Sequence, residues 1–302
     1  MSVPLLFLLT AVVGLGSKAF SKLCSNMLTQ NSISKYSLVL MINSLVACFF
    51  FGLFSGFSIS VNTTTLIYSL IYAVIAATSV IFGFVVYRYT SISNVNIVSS
   101  SCTMICTAII GWVFFFEDVN TLNIIRIIIM LFAIVLVFLD QRKKDIVDNS
   151  TISQKRNIIP LILIIAVITA CGCANTVVLK SFAMSEAVTD ENSFFFFTNV
   201  ILLFASLIVF AISCLRKKGE FRSSVKLLRP RKLISIAGNT FCANISSFVS
   251  VLIVAQLDVS IYSPISSALG IIVGLVGSLI FREKLGVFAY VAAAVAGLAV
   301  II

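Results

Sequence analysis

Thr240, Asn244 and Ser247 recur at the spacing of one helix face in SIAGNTFCANISSFVS. Val251 completes the line, and Asn239, Ser246 and Ser250 form a second stripe beside it. The flanking residues are apolar. Polar side chains kept within such a run face a bundle interior or a water-filled cavity, so the stripe offers hydrogen bonds to a polar solute. The plainer alternative is bonding between helices, at ~0.6 to 2 kcal/mol per contact. Asn43 and Asn199 stand at similar depths in two other apolar runs. An amide offers both donor and acceptor, which suits a zwitterionic or neutral polar molecule. Asn175 and Thr176 follow the small-residue run ACGCA, where close packing competes with room for a ligand. Asn43, Asn175, Asn199, Thr240, Asn244, Ser247 and Ser267 are together the expected substrate-binding lining of one central cavity.

The chemistry these residues can do is recognition without bond making. The chain has no histidine, and none of its Asp or Glu residues falls in the middle of an apolar run. That removes the commonest proton relay, a Ser–His pair and the H-E-x-x-H zinc motif, so no enzyme, cofactor or metal is expected. Cys102 and Cys106 have the i, i+4 spacing of metal ligands but no third soft ligand close by in sequence. Most of the eight cysteines lie inside apolar runs and read as buried thiols rather than a disulfide framework. Lys18 and Lys22 share one helix face near the end of the first run. Either can meet an anionic substrate, though long basic side chains near helix ends usually snorkel to lipid headgroups, and Arg126 reads the same way.

The elements that position these residues are apolar runs of about the ~20 residues that a helix needs to cross hydrocarbon. With 60% hydrophobic and 11% charged residues in 302, the chain reads as an all-α integral membrane protein. Ten transmembrane spans are expected: 3–22, 36–57, 65–87, 95–116, 121–140, 158–183, 193–215, 233–256, 262–281 and 286–302. The first resembles a signal peptide in length but has no basic residue before it, and is read as a retained helix. The polar stretch 141–157 reads as a linker between one five-helix repeat, 1–140, and a second, 158–302. Pro230 interrupts the other polar segment, RKKGEFRSSVKLLRPRK. Short alternating segments of the kind that build a barrel do not occur.

SISNVNIVSSSCTMICTAIIGWVFFFEDV and VSIYSPISSALGIIVGLVGSLIFREKL align with a shift of 166, matching Ser101 with Ser267, Gly111 with Gly277 and Glu117 with Glu283. The paired Glu residues read as structural, closing the turn before the last helix of each half. Five is an odd number, so the second repeat enters the membrane inverted, the arrangement that supports alternating access. Each segment, with the apolar run after it, resembles the closing helix pair of the EamA-type branch of the drug/metabolite transporter superfamily. The shared features are a polar turn, a small-residue helix, a Glu after an aromatic or basic residue, and a final apolar helix. The resemblance implies a polytopic carrier for small metabolites or drugs, often an exporter, with the first four helices of each half lining the pathway. Pro264 fits the pattern, whereas Val98 and Asp118 depart from it in the first half. Small multidrug resistance relatives use an acidic residue in their first helix, and none is present here.

The resulting expectation is a secondary transporter of small polar metabolites in the cytoplasmic membrane, an exporter or exchanger. A structural or sensory membrane protein is the alternative. Its partners are a small-molecule substrate and the lipid bilayer, not nucleic acid: the net charge of +10 sits in short clusters between apolar runs. With no buried acid to titrate, transport is expected to follow exchange, a substrate gradient or the membrane potential. All Lys and Arg residues except Arg126 and Lys180 fall on one side of the ten-span arrangement. The bias puts the linker in the cytoplasm and both termini outside. Single cysteines at position 149 and at the C-terminus test this in intact cells. An impermeant reagent should label the C-terminus and spare the linker; the reverse pattern would invert the assignment.

Overall fold

A computed structural model describes residues 3–27, 33–86, 92–116, 121–148, 158–185, 190–216, 220–257, 259–281 and 286–301. These form α1 (Val3–Met27), α2 (Ile33–Phe54), α3 (Thr63–Val86), α4 (Ile92–Phe114), α5 (Thr121–Asp148), α6 (Ile158–Ala183), α7 (Glu191–Arg216), α8 (Glu220–Val225), α9 (Pro230–Val254), α10 (Val259–Ile280) and α11 (Val287–Ile301). Among the described residues there is no strand, as hydrocarbon requires of an open chain whose backbone amides must be satisfied internally. Among the described residues, seven helices are long and apolar enough to cross a membrane: α1, α2, α3, α4, α6, α7 and α9. The apolar stretches of α5 and α10 are shorter, Ile124–Leu136 and Ile265–Ile280. The surface agrees with a lipid environment. Leu8, Phe49, Val74, Phe132, Leu163, Phe204 and Leu279 are each more than half exposed, a belt that water would not tolerate.

Two helices run well past the C-terminal ends of their expected spans, and α1 reaches Met27 rather than residue 22. α5 does not stop at 140 but continues to Asp148, so Gln141 to Asp148 of the expected linker is helical. Polarity marks where hydrocarbon ends, not where a helix must end, and Gln, Arg and Lys are good helix formers in water. The rest of the linker, and both Glu117 and Glu283, lie outside the described residues. The segment before α9 breaks where Pro230 predicts: α8 and a 3-10 turn, Lys226–Leu228, lead to Arg229 in an extended conformation, and Pro230 opens α9.

Packing runs mainly between the two ends of the chain. α1 packs on α9 and α10, α6 on α3 and α4, α2 on α7 and α9, and α3 on α7; α4 packs on α10 and α5 on α11. Exchanging α1 with α6, α2 with α7, α3 with α9, α4 with α10 and α5 with α11 maps this set of contacts onto itself. Small residues permit the tightest crossings. A Cβ added at Gly270 of α10 would stand 2.6 Å from Ser100 Oγ of α4, and one at Gly16 of α1 would stand 2.9 Å from Cys242 Sγ of α9. α7 is started by Asp190, whose carboxylate accepts the Ser193 backbone N–H at 3.0 Å and its hydroxyl at 2.9 Å.

The α4–α10 crossing is therefore the place where added volume is felt. Gly270→Leu should destabilise the detergent-solubilised protein by about 1 to 3 kcal/mol, read as a lower thermal midpoint. Gly83→Ala, where nothing lies within 4 Å of the new methyl, should leave the midpoint unchanged or raise it.

Candidate functional site

Two adjoining cavities with polar side chains in their walls lie inside the bundle. The smaller, about 130 Å³, is bounded by α2, α3, α7 and α9 and is lined by Asn43, Asn199, Thr240, Asn244 and Ser247. The larger, about 230 Å³, is bounded by α3, α4, α6, α9 and α10 and is lined by Asn175, Ser247 and Ser267. The seven residues singled out in the sequence thus reach two chambers rather than one. Tyr72 and Ser247 line both, so this pair lies where the two chambers adjoin.

The local chemistry of each side chain follows from its helix. In an apolar surrounding a side-chain donor without a solvent partner turns to the carbonyl one turn back. Asn199 Nδ2 donates to Phe195 O at 2.8 Å, Asn244 Nδ2 to Thr240 O at 2.8 Å, and Thr198 Oγ1 to Phe194 O at 2.9 Å. One N–H of each amide is thereby held on its own helix, which leaves the carbonyl oxygen and the second N–H for each to offer the chamber. Asn43 is the complement. Its Oδ1 accepts from the Thr240 hydroxyl, which joins α2 to α9 and leaves an NH₂ donor on the Asn43 side.

In the larger chamber, Ser267 Oγ donates to Ser100 O at 3.0 Å, and the hydroxyls of Thr107 and Ser263 bond to each other. Both contacts join α4 to α10, the two segments whose sequences align. Asn175 Oδ1 is buried and has no hydrogen-bond partner. At the other chamber, Asn239 Oδ1 accepts from Ser21 Oγ at 2.8 Å, and Ser17 Oγ lies 3.5 Å away, so this lining residue also ties α9 to α1.

Tyr72, Thr103 and Ser263 escaped the sequence reading. Tyr72 is buried in a cluster of rings, with centroids 5.2 Å from Phe194 and 5.9 Å from Phe195; Phe195 in turn stacks on Phe51 at 5.0 Å. The visible signals were a tyrosine in the middle of an apolar run and the SFFFF stretch that opens α7. Thr103 and Thr107 had the spacing of one face on α4. Cys102 and Cys106, by contrast, line a separate apolar groove of about 840 Å³ between α3, α4 and α6, together with Cys173. Among the described residues no group of three or more Cys, Asp or Glu side chains is placed to hold a metal ion.

Lys180 has a role that its place in the sequence does not show. Its Nζ donates to Val254 O at 3.3 Å and Leu257 O at 3.0 Å, and so caps the carbonyl end of α9.

No family model matches this chain, and no curated protein matches it.

The Ser21–Asn239 contact gives a measurable coupling. A double-mutant cycle of Ser21→Ala and Asn239→Ala in detergent unfolding should return an interaction energy of about 0.6 kcal/mol and no more than about 1.7 kcal/mol, the range of hydrogen bonds between helices in membrane proteins.

Proposed function

We propose that the chain is a secondary transporter that carries small polar solutes through the paired chambers by alternating access. One observation carries the reading: two uncharged cavities, one rich in hydroxyls and the other apolar with inward amides and hydroxyls, adjoin inside an otherwise apolar bundle, each bounded by helices from both ends of the chain. A purely structural bundle gains nothing from unfilled polar space in hydrocarbon, where every polar group is costly.

The architecture proposed with it is ten spans in two inverted five-helix halves, with α5, α10 and α11 added to the seven helices of longer apolar stretch. Its support is the contact pattern that maps onto itself when the halves are exchanged, together with the aligned α4 and α10 segments. The proposal includes membership of the EamA-type branch of the drug/metabolite transporter superfamily, which rests on the two helix pairs quoted above. The same reading puts the protein in the cytoplasmic membrane with the linker inside, working as an exporter or exchanger. Neither chamber is lined by Asp, Glu, Lys or Arg, which favours exchange or movement down a gradient over proton coupling.

Comparing metabolites inside cells and in the medium, between a deletion strain and an overexpressing strain, reveals the transported pool. Asn244→Leu and Asn199→Leu should each lower that flux on the order of tenfold while the protein inserts at normal abundance. Normal flux in both variants would move the site elsewhere. A pool that responds to neither deletion nor overexpression would favour a structural or sensory role.

A further inference from the structure

Ten of the fourteen residues lining the larger chamber carry a hydroxyl, and Asn175 adds an amide. No lining residue of either chamber is an acid or a strong base. A charged solute needs a counter-charge or a converging set of helix ends once it leaves water. α3, α4 and α6 run unbroken past the chamber, α10 begins three residues before Tyr262, and α9 ends there with Val254, whose carbonyl already accepts from Lys180 Nζ at 3.3 Å.

The lining has a definite polarity of hydrogen bonding. Thr176 donates to Gly172 O at 3.1 Å, Ser250 to Ser246 O at 2.8 Å and Ser267 to Ser100 O at 3.0 Å. With these protons directed into the helices, the oxygens face the chamber as acceptors, and Asn175 Oδ1 is a buried acceptor with no partner. A fitting ligand therefore brings several donors, brings acceptors for the remaining hydroxyl protons, and brings no net charge. A hydroxyl does both at one atom, whereas an amide divides the two roles between two atoms, so closely spaced hydroxyls match this lining best. A cavity of about 230 Å³ is far larger than a bare cation needs and is of the size of a small organic molecule.

Building on the transport reading, we propose that the chamber bounded by α3, α4, α6, α9 and α10 selects a small, uncharged, polyhydroxylated solute, a polyol or monosaccharide, one of whose hydroxyls donates to Asn175 Oδ1. Asn175 is the specificity-determining residue of this assignment. Tyr72 and Ser247, shared with the smaller chamber, meet the same solute as it passes between the two.

Proteoliposomes containing the full chain test the class directly. The probes are radiolabelled D-mannitol and myo-inositol, with D-gluconate and D-glucosamine as charged molecules of similar size. The neutral probes should enter roughly tenfold or more faster than the charged ones, relative to protein-free vesicles. Asn175→Leu should slow the neutral probes on the order of tenfold. Asn175→Asp should shift the preference toward glucosamine, a change that loss of folding alone cannot produce. Gluconate or glucosamine carried as fast as the neutral probes would overturn the proposal and leave the transport reading standing. So would failure of both neutral probes while cells still show a pool that follows expression. Failure of all four probes together with an unresponsive metabolite pool would overturn both.

Discussion

Hydrocarbon supplies no hydrogen-bond partner, and the arrangement of this protein's interior follows from that constraint. Thr198, Asn199, Asn244 and Ser250 each donate to the carbonyl one turn earlier in their own helix. Other polar groups bond across helices, as between Thr240 and Asn43, Ser21 and Asn239, or Ser267 and Ser100. The bonding fixes side-chain direction. Oxygen acceptors are presented to the chambers at small reorganisation cost, and the same contacts hold α1, α2 and α4 against the second half of the chain.

α6 shows how one helix separates two solvents. Gly172, Asn175, Thr176 and Leu179 line the hydroxyl-rich chamber, whereas Ala170, Cys173, Ala174 and Val177 line the apolar groove on the other side. Gly172 lets α4 approach, since a Cβ there would stand 3.0 Å from Thr103 Oγ1. The polar face is narrow. Small residues around it admit α4 closely enough that polar and apolar spaces lie a single helix apart without a continuous water path between them being needed for stability.

What could be read from the sequence was what a single helix determines. Apolar runs located the long helices to within a few residues, and the i, i+3, i+4 recurrence in α9 picked out Thr240, Asn244 and Ser247 as one face. Those properties are local. The division of the lining into two chambers was not legible, because it depends on where Tyr72 of α3 meets Ser247 of α9, a distance set by the packing of Phe194, Phe195 and Phe51. Lys180 illustrates the same limit. In sequence it is a basic residue on the sparsely charged side, and only the position of α9 shows that its ammonium answers the carbonyls of Val254 and Leu257. The end of α5 was misplaced for a different reason: polarity reports solvent, and the helix continues into it.

The packing of early helices on late ones also sets a timetable for synthesis. α1 finds α9, α2 finds α7 and α4 finds α10, so most of the first half emerges from the ribosome before its principal partners exist. Roughly two hundred residues separate the end of α1 from the start of α9, which at typical elongation rates is on the order of ten seconds or more. During that interval Ser17 and Ser21 lack Asn239, and Asn43 lacks Thr240. Nascent chains of this protein must therefore wait in the membrane with their polar faces covered by something else, the insertion machinery or one another. Biogenesis, more than the stability of the finished bundle, is where a slowed ribosome or a truncated message would do its damage.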